Sequence, residues 1–136
     1  MLCFPLFSVP PESLTIEGPE ELTLDFDARF TCKASASNLP SKLAFKLTSH
    51  HSNLLDELVK EDLVQIEDSV EKWMEHPEAG VSGWASSRSL VIKRDVLKQA
   101  NKLGDHMSFE CQVPDPYHER RILVSASKFI ALESKY

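Results

Sequence analysis

No run of this 136-residue chain is apolar over the length that a membrane-spanning helix requires. Metal-ligand spacings are missing as well. There is no Cys-x-x-Cys and no His-x-x-x-His, and the adjacent pair His50-His51 is the nearest approach to such a pattern among five histidines. A Gly-x-Ser-x-Gly nucleophile elbow is absent, so nothing marks the serines as nucleophiles. None of Asn38, Asn53 and Asn101 lies in an Asn-x-Ser/Thr sequon, which leaves every face free of N-linked glycan. Basic charge is in deficit: 15 Lys and Arg stand against 21 Asp and Glu, for a net charge of −6 and a pI near 5.3. A nucleic-acid binder would carry the opposite balance. Together these absences point away from catalysis, from a metal or other cofactor, and from a nucleic-acid partner.

What remains is the composition of an ordinary soluble domain, 42% hydrophobic and 26% charged, long enough for one sizeable core. The apolar start, Met1 to Val9, has neither a basic n-region nor a small-residue cleavage site. The chain is therefore expected to be a module of a longer protein whose secretion signal and membrane anchor lie elsewhere, with residues 1–12 as linker or N-terminal extension and 13–136 as the domain.

Two of the three cysteines sit in alternating apolar and polar runs, Asp27 to Ser35 around Cys32 and Asp105 to Val113 around Cys111. That alternation is the signature of a half-buried strand. A cysteine on the inner face of each can bridge two packed sheets; the alternative is a pair of buried thiols in a cytosolic sandwich. A bridge would close a long loop and stabilise the fold by roughly 4–5 kcal/mol on the chain-entropy model. Cys3 is left over.

Further strands are expected at Leu14–Glu17, closed by Gly18-Pro19, at Glu21–Phe26, at Lys42–Thr48, at Trp84–Arg94 and over Arg121–Leu132. Asp95 is placed to cap a short helix from Val96 to Leu103, with Gly104 closing it. Between about 50 and 81 the pattern changes. Leu54 to Glu75 contains no Gly or Pro, and Val59, Leu63, Ile66, Val70 and Trp73 recur at helical spacing, which favours a helix; a short strand at Val64 to Glu67 inside it is the alternative. Asp56 to Glu78 holds nine acidic residues and two basic ones, a net of −7 that leaves the rest of the chain near +1. Such polarity can steer a basic partner, so Glu61, Asp62, Glu67, Asp68, Glu71 and Trp73 form a candidate interaction patch. A solvated helix face whose stripe covers the sandwich is the plainer alternative.

These residues resemble the immunoglobulin superfamily. Cys32 and Cys111 stand where that family has the bridged cysteines of strands B and F, and Phe45, thirteen positions after Cys32, stands near its strand-C tryptophan. Asp105 and Cys111 match the pattern before the second cysteine, whereas Met107 and Phe109 replace its glycine and tyrosine. Ser86 to Ile92 matches its strand E. The likeness covers most of the chain outside about His50 to Val81. It implies an all-β, immunoglobulin-like sandwich of two antiparallel sheets with a helix-prone acidic insertion after strand C, a Cys32–Cys111 disulfide, and Phe45, Phe109 and Leu90 packed on it. Phe109 lacks the hydroxyl of a tyrosine corner.

A narrower similarity, carried by Gly83 to Leu90, Phe109 to Val113 and the Val9-Pro10-Pro11 lead-in, is to domains of nephrin-type cell-adhesion receptors. It implies an extracellular, cell-surface binding module without catalytic activity. Its partner would be another cell-surface protein, itself immunoglobulin-like, met through the strands near Phe45–Thr48 and Ile122–Ser127. Any contact with a membrane would run through parts of the parent outside this chain. The alternatives are an architectural spacer in a multi-domain receptor, or an intracellular scaffold domain with unbridged cysteines.

Overall fold

The computed structural model describes residues 11, 13–37, 40–50, 52–76, 81–99, 103–115 and 117–132. Cys3, nearly all of the expected linker, and residues 77–80, expected to end the helix-prone segment, lie outside them.

Strand β3 (Ala28–Ser37) shows how the pattern becomes a sheet. Ala28, Phe30, Cys32 and Ala34 point inward and are buried, while Arg29 and Lys33 alternate outward. It pairs with β1 (Leu14–Glu17) on one side and with the long β8 (Val81–Ile92) on the other, both antiparallel. The far side of β8 is shared by two short strands in succession: β6 (Val64–Ile66) along Leu90–Ile92, and β7 (Val70–His76) along Val81–Ser87. These five strands are one sheet.

The second sheet has the order β2 (Glu21–Leu22), β10 (His118–Leu132), β9 (His106–Asp115), β4 (Ala44–Ser49) and β5 (Ser52–Asn53). The expected strand at Glu21–Phe26 shrinks to the two residues of β2. They pair parallel to Ala131 and Leu132, so this sheet is not wholly antiparallel. Gly18-Pro19 lets the chain leave the first sheet after β1 and join the second as β2. A Cβ on Gly18 would run into the Phe30 ring.

The sheets pack face to face around Phe30, Leu90 and Ile92 from one side and Leu47, Met107, Phe109 and Ile130 from the other, all fully buried. The Phe30 and Phe109 rings lie 5.7 Å apart, and Phe45 and Phe109 5.2 Å apart. Cys32 and Cys111 are bridged across this core with a Cα–Cα distance of 6.4 Å. The result is an all-β, disulfide-bridged sandwich, compatible with an immunoglobulin-like fold.

After β8 a 3-10 helix, Arg94–Gln99, turns the chain, and Val96, Leu97 and Leu103 plug that end of the core. Asp95 lies inside this helix and pairs with Lys98 instead of capping it. The Arg94 N–H donates to Asp27 Oδ1 at 2.9 Å, so the cap comes from the start of β3, a residue distant in sequence.

Among its described residues, the segment from about 50 to 81 holds more strand than helix. Its helix, α1, covers only Leu55–Lys60, burying Leu55 and Leu58 against β4 and β6. The helical spacing of Val59, Leu63, Ile66, Val70 and Trp73 does not become one face. Val59 is on α1, Ile66 on β6, and Val70 and Trp73 on β7. Pairing to β8 supplies backbone partners that a lone amphipathic helix lacks, and this tertiary gain overrides the spacing. Asp62, with φ +60°, turns the chain from α1 into β6.

Candidate interaction surface

The outer face of the β1-β3-β8-β6 sheet is closed by polar contacts. Thr31 and Ser89 share a hydroxyl hydrogen bond at 2.8 Å, Arg29 pairs with Glu67 at 2.6 Å, and Lys33 pairs with Glu17 at 3.1 Å. On the other sheet, register places Ser125, Ser127, Phe129 and Ala131 outward beside Gln112, Glu110, Ser108 and His106. Phe129 is 72% exposed, with the His106 ring 5.8 Å away, beside an open depression of about 620 Å³ that Glu20, Lys128 and Ala131 also line. The Phe45–Thr48 run pairs with β9 on one side and, at Thr48 alone, with β5 on the other. Phe45 and Leu47 face the core, and only Lys46 and Thr48 look outward.

The predicted acidic patch is strung along one border of the first sheet. Glu61 and Asp62 follow α1, Glu67 and Asp68 lie between β6 and β7, and Glu71 and Trp73 belong to β7. Two of the carboxylates are neutralised within the chain: Asp62 pairs with Lys93 at 3.1 Å, and Glu67 with Arg29.

β7 and β8 form a hairpin that runs past the last paired residue of β3, since Ser37 pairs with Trp84 and the hairpin continues to Val81. A bulge in β3 between Ala34 and Ser37 brings its backbone against Gly83, where a Cβ would lie 2.5 Å from the Ser37 carbonyl oxygen. Directly opposite each other in the hairpin stand Trp73 and Trp84, with rings 5.6 Å apart and edge to face. Trp73 is 47% exposed, and its Nε1–H donates to Glu75 Oε1 at 3.3 Å. Val70, on the opposite face, is 63% exposed. A strand that leaves such apolar area in water is a candidate contact surface.

Arg88 anchors this border to the body of the fold. It stands opposite Cys32 and so faces inward. Its Nε–H donates to the Glu67 carbonyl at 2.9 Å, and an Nη1–H to the Leu43 carbonyl at 3.0 Å, with the guanidinium carbon 5.7 Å from the Phe45 ring centre. One side chain thus ties the link before β7 to the start of β4. The Leu43-to-Ser37 connection is also held by the Ser41 N–H, which donates to Ser86 Oγ at 2.9 Å.

Cys32, Cys111, Phe45, Phe109 and Leu90 all lie in the core rather than at this surface. The strand character of β7 and the exposure of Phe129 escaped the sequence reading. For Phe129 a signal exists: Ile130 beside it fits the buried phase of the last strand, so Phe129 must point out. Among the described residues, no three of His, Cys, Asp and Glu come together as a metal-binding group, and no helix is long and apolar enough to cross a membrane. The buried disulfide is of a kind typical of extracellular domains.

No known family profile matches this chain, and no curated protein matches it significantly.

Proposed function

We propose that this chain is an immunoglobulin-type, non-catalytic protein-binding module of an extracellular cell-surface protein, of the nephrin-like adhesion kind, and that it meets its partner through the β7–β8 hairpin. The single observation that carries the reading is Trp73. It is a large aromatic left half in water on a strand paired to β8 of a disulfide-bridged sandwich. Interfaces concentrate their binding energy in such anchors. Family type is supported by strand order: β1-β3-β8-β6 corresponds to A-B-E-D, and β4-β9-β10 to C-F-G, with the bridge between B and F.

The test is multivalent display of the oxidised domain against a panel of cells presenting immunoglobulin-type ectodomains. Trp73→Ser should weaken capture by at least about tenfold, as removal of a hot-spot aromatic does. Phe129→Ser should leave it unchanged. If Trp73→Ser binds as the parent does, and deleting the domain from its receptor alters only reach and orientation, the module is an architectural spacer and the proposal fails.

A further inference from the structure

Resting on that reading of the hairpin, we infer that β7 is completed by an added β-strand, and that the strand it accepts is a basic one from a partner protein. The first ground is the open edge. The bordering strands β1, β2, β5 and β6 have four, two, two and three residues; β1 also flanks β10, and α1 packs against β6, while β10 and β4, which β2 and β5 pair only at Ala131–Leu132 and Thr48–Ser49, keep further open stretches. Short or covered borders resist unwanted pairing. β7 has seven residues and, among the described residues, hydrogen-bonds to β8 alone. A long strand left with unpaired N–H and C=O groups is a template for another chain.

The second ground is the order of side chains on that edge. Register against β8 places Glu71, Trp73 and Glu75 on one face and Val70, Lys72 and Met74 on the other. An antiparallel newcomer sets one side chain directly opposite each. Two carboxylates flanking an indole call for cations at alternate positions around an apolar or aromatic residue, in the pattern Arg/Lys-x-aromatic-x-Arg/Lys. A guanidinium can pair with a carboxylate and lie over the indole at once. Unlike Asp62 and Glu67, neither Glu71 nor Glu75 is ion-paired to a cation of the chain among the described residues.

The same order works against a second copy of β7. The symmetric antiparallel register that overlaps all seven residues centres on Trp73 and sets Glu71 against Glu75 twice. Like charges directly opposite destabilise a pair of strands. The edge repels itself and favours the opposite sign.

The probe is a β-hairpin peptide held by an Asn-Gly turn, with an outer strand reading Arg-Thr-Tyr-Thr-Arg. It is titrated into the intact oxidised domain and followed by tryptophan fluorescence and by hydrogen exchange of the β7 amides. The basic hairpin should bind and protect those amides. Its Glu-Thr-Tyr-Thr-Glu counterpart should bind about tenfold more weakly, the order expected for two cross-strand charge pairs turned from attraction to repulsion. The preference should invert on the double variant Glu71→Lys/Glu75→Lys, whose positions are exposed and leave the core untouched. Methylation of the peptide's outward amides should abolish binding. Equal binding of basic and acidic hairpins, binding that survives amide methylation, or β7 amides that gain no protection would overturn the inference. So would self-association that buries β7 and is relieved by Arg120→Glu/Arg121→Glu at the exposed basic pair near the start of β10, which would assign the edge to a second copy. Loss of cell capture in Trp73→Ser with no hairpin binding removes strand addition and leaves the proposed function standing. Hairpin binding with capture indifferent to Trp73→Ser does the reverse.

Discussion

Reduction of the Cys32–Cys111 bridge offers a perturbation whose size follows from the chain itself. The cysteines are 79 residues apart, and both are fully buried. Cross-linking a loop of that length removes about 15 cal/mol/K of entropy from the unfolded ensemble, or about 4.5 kcal/mol at 25 °C. This is a large part of the 5–15 kcal/mol by which domains are stable. The assay is urea unfolding of the Cys3→Ser variant, oxidised and fully reduced, followed by tryptophan fluorescence. The reduced form should lose about 4 kcal/mol, which moves the midpoint by roughly 2–3 M at a slope near 1.5–2 kcal/mol/M. The slope itself should rise on reduction, because an unbridged denatured chain exposes more surface. Buried sulfurs should also resist reductant until the domain opens, so reduction under native conditions should follow the unfolding rate. A midpoint that moves by less than about 0.5 M, with an unchanged slope, would refute the argument that the bridge acts by constraining the unfolded chain.

Arg88→Met should destabilise the domain by about 2–3 kcal/mol in the same assay, since the Glu67 and Leu43 carbonyls lose a charged donor and Phe45 loses its cation. Arg88→Lys should recover less than half, because one ammonium cannot span both carbonyls with a planar fork. Gly83→Ala should cost about 1–3 kcal/mol, measured by thermal melting, as its methyl group meets the Ser37 backbone at the bulge. Leu90→Ala should cost about 3–5 kcal/mol at its fully buried site, whereas Phe129→Ser should stay within about 0.5 kcal/mol.

Most of the elements that alternation predicts form, although Glu21–Phe26 keeps only the two residues of β2. Leu14–Glu17 is β1 to the residue, and the runs around Cys32 and Cys111 become β3 and β9. Each is half-buried, so one face must be apolar and the other polar, and a period of two is written into the chain. Asp95 and the stretch from Leu54 to Glu75 went differently because their partners are remote. Asp27 takes the capping role from just before the neighbouring strand of the same sheet, and β8 recruits Val64–Ile66 and Val70–His76 as strands. Residues at helical spacing cannot reveal that a strand edge is waiting for them.

The candidate surface divides along the same line. Trp73 and the acidity around it are visible in the sequence as composition. The pairing of Trp73 with Trp84, the neutralisation of Asp62 and Glu67, and the common face of Glu71, Trp73 and Glu75 are not. Each depends on which residue lies opposite, and register is a property of the assembled sheet.

Local alternation and two inward-facing cysteines were enough for the sequence to point to facing, half-buried strands around Cys32 and Cys111. They suffice because a strand buried on one face must repeat that pattern along its own length. The packing of Phe45, Leu90 and Phe109 on their bridge came from the immunoglobulin resemblance. That Val70–His76 forms an open border was decided only by tertiary structure. Whether Val70–His76 is a helix on the surface or a strand at a border depends on the hydrogen-bonding groups that β8 presents to it, and no segment carries its neighbour's edge in its own sequence.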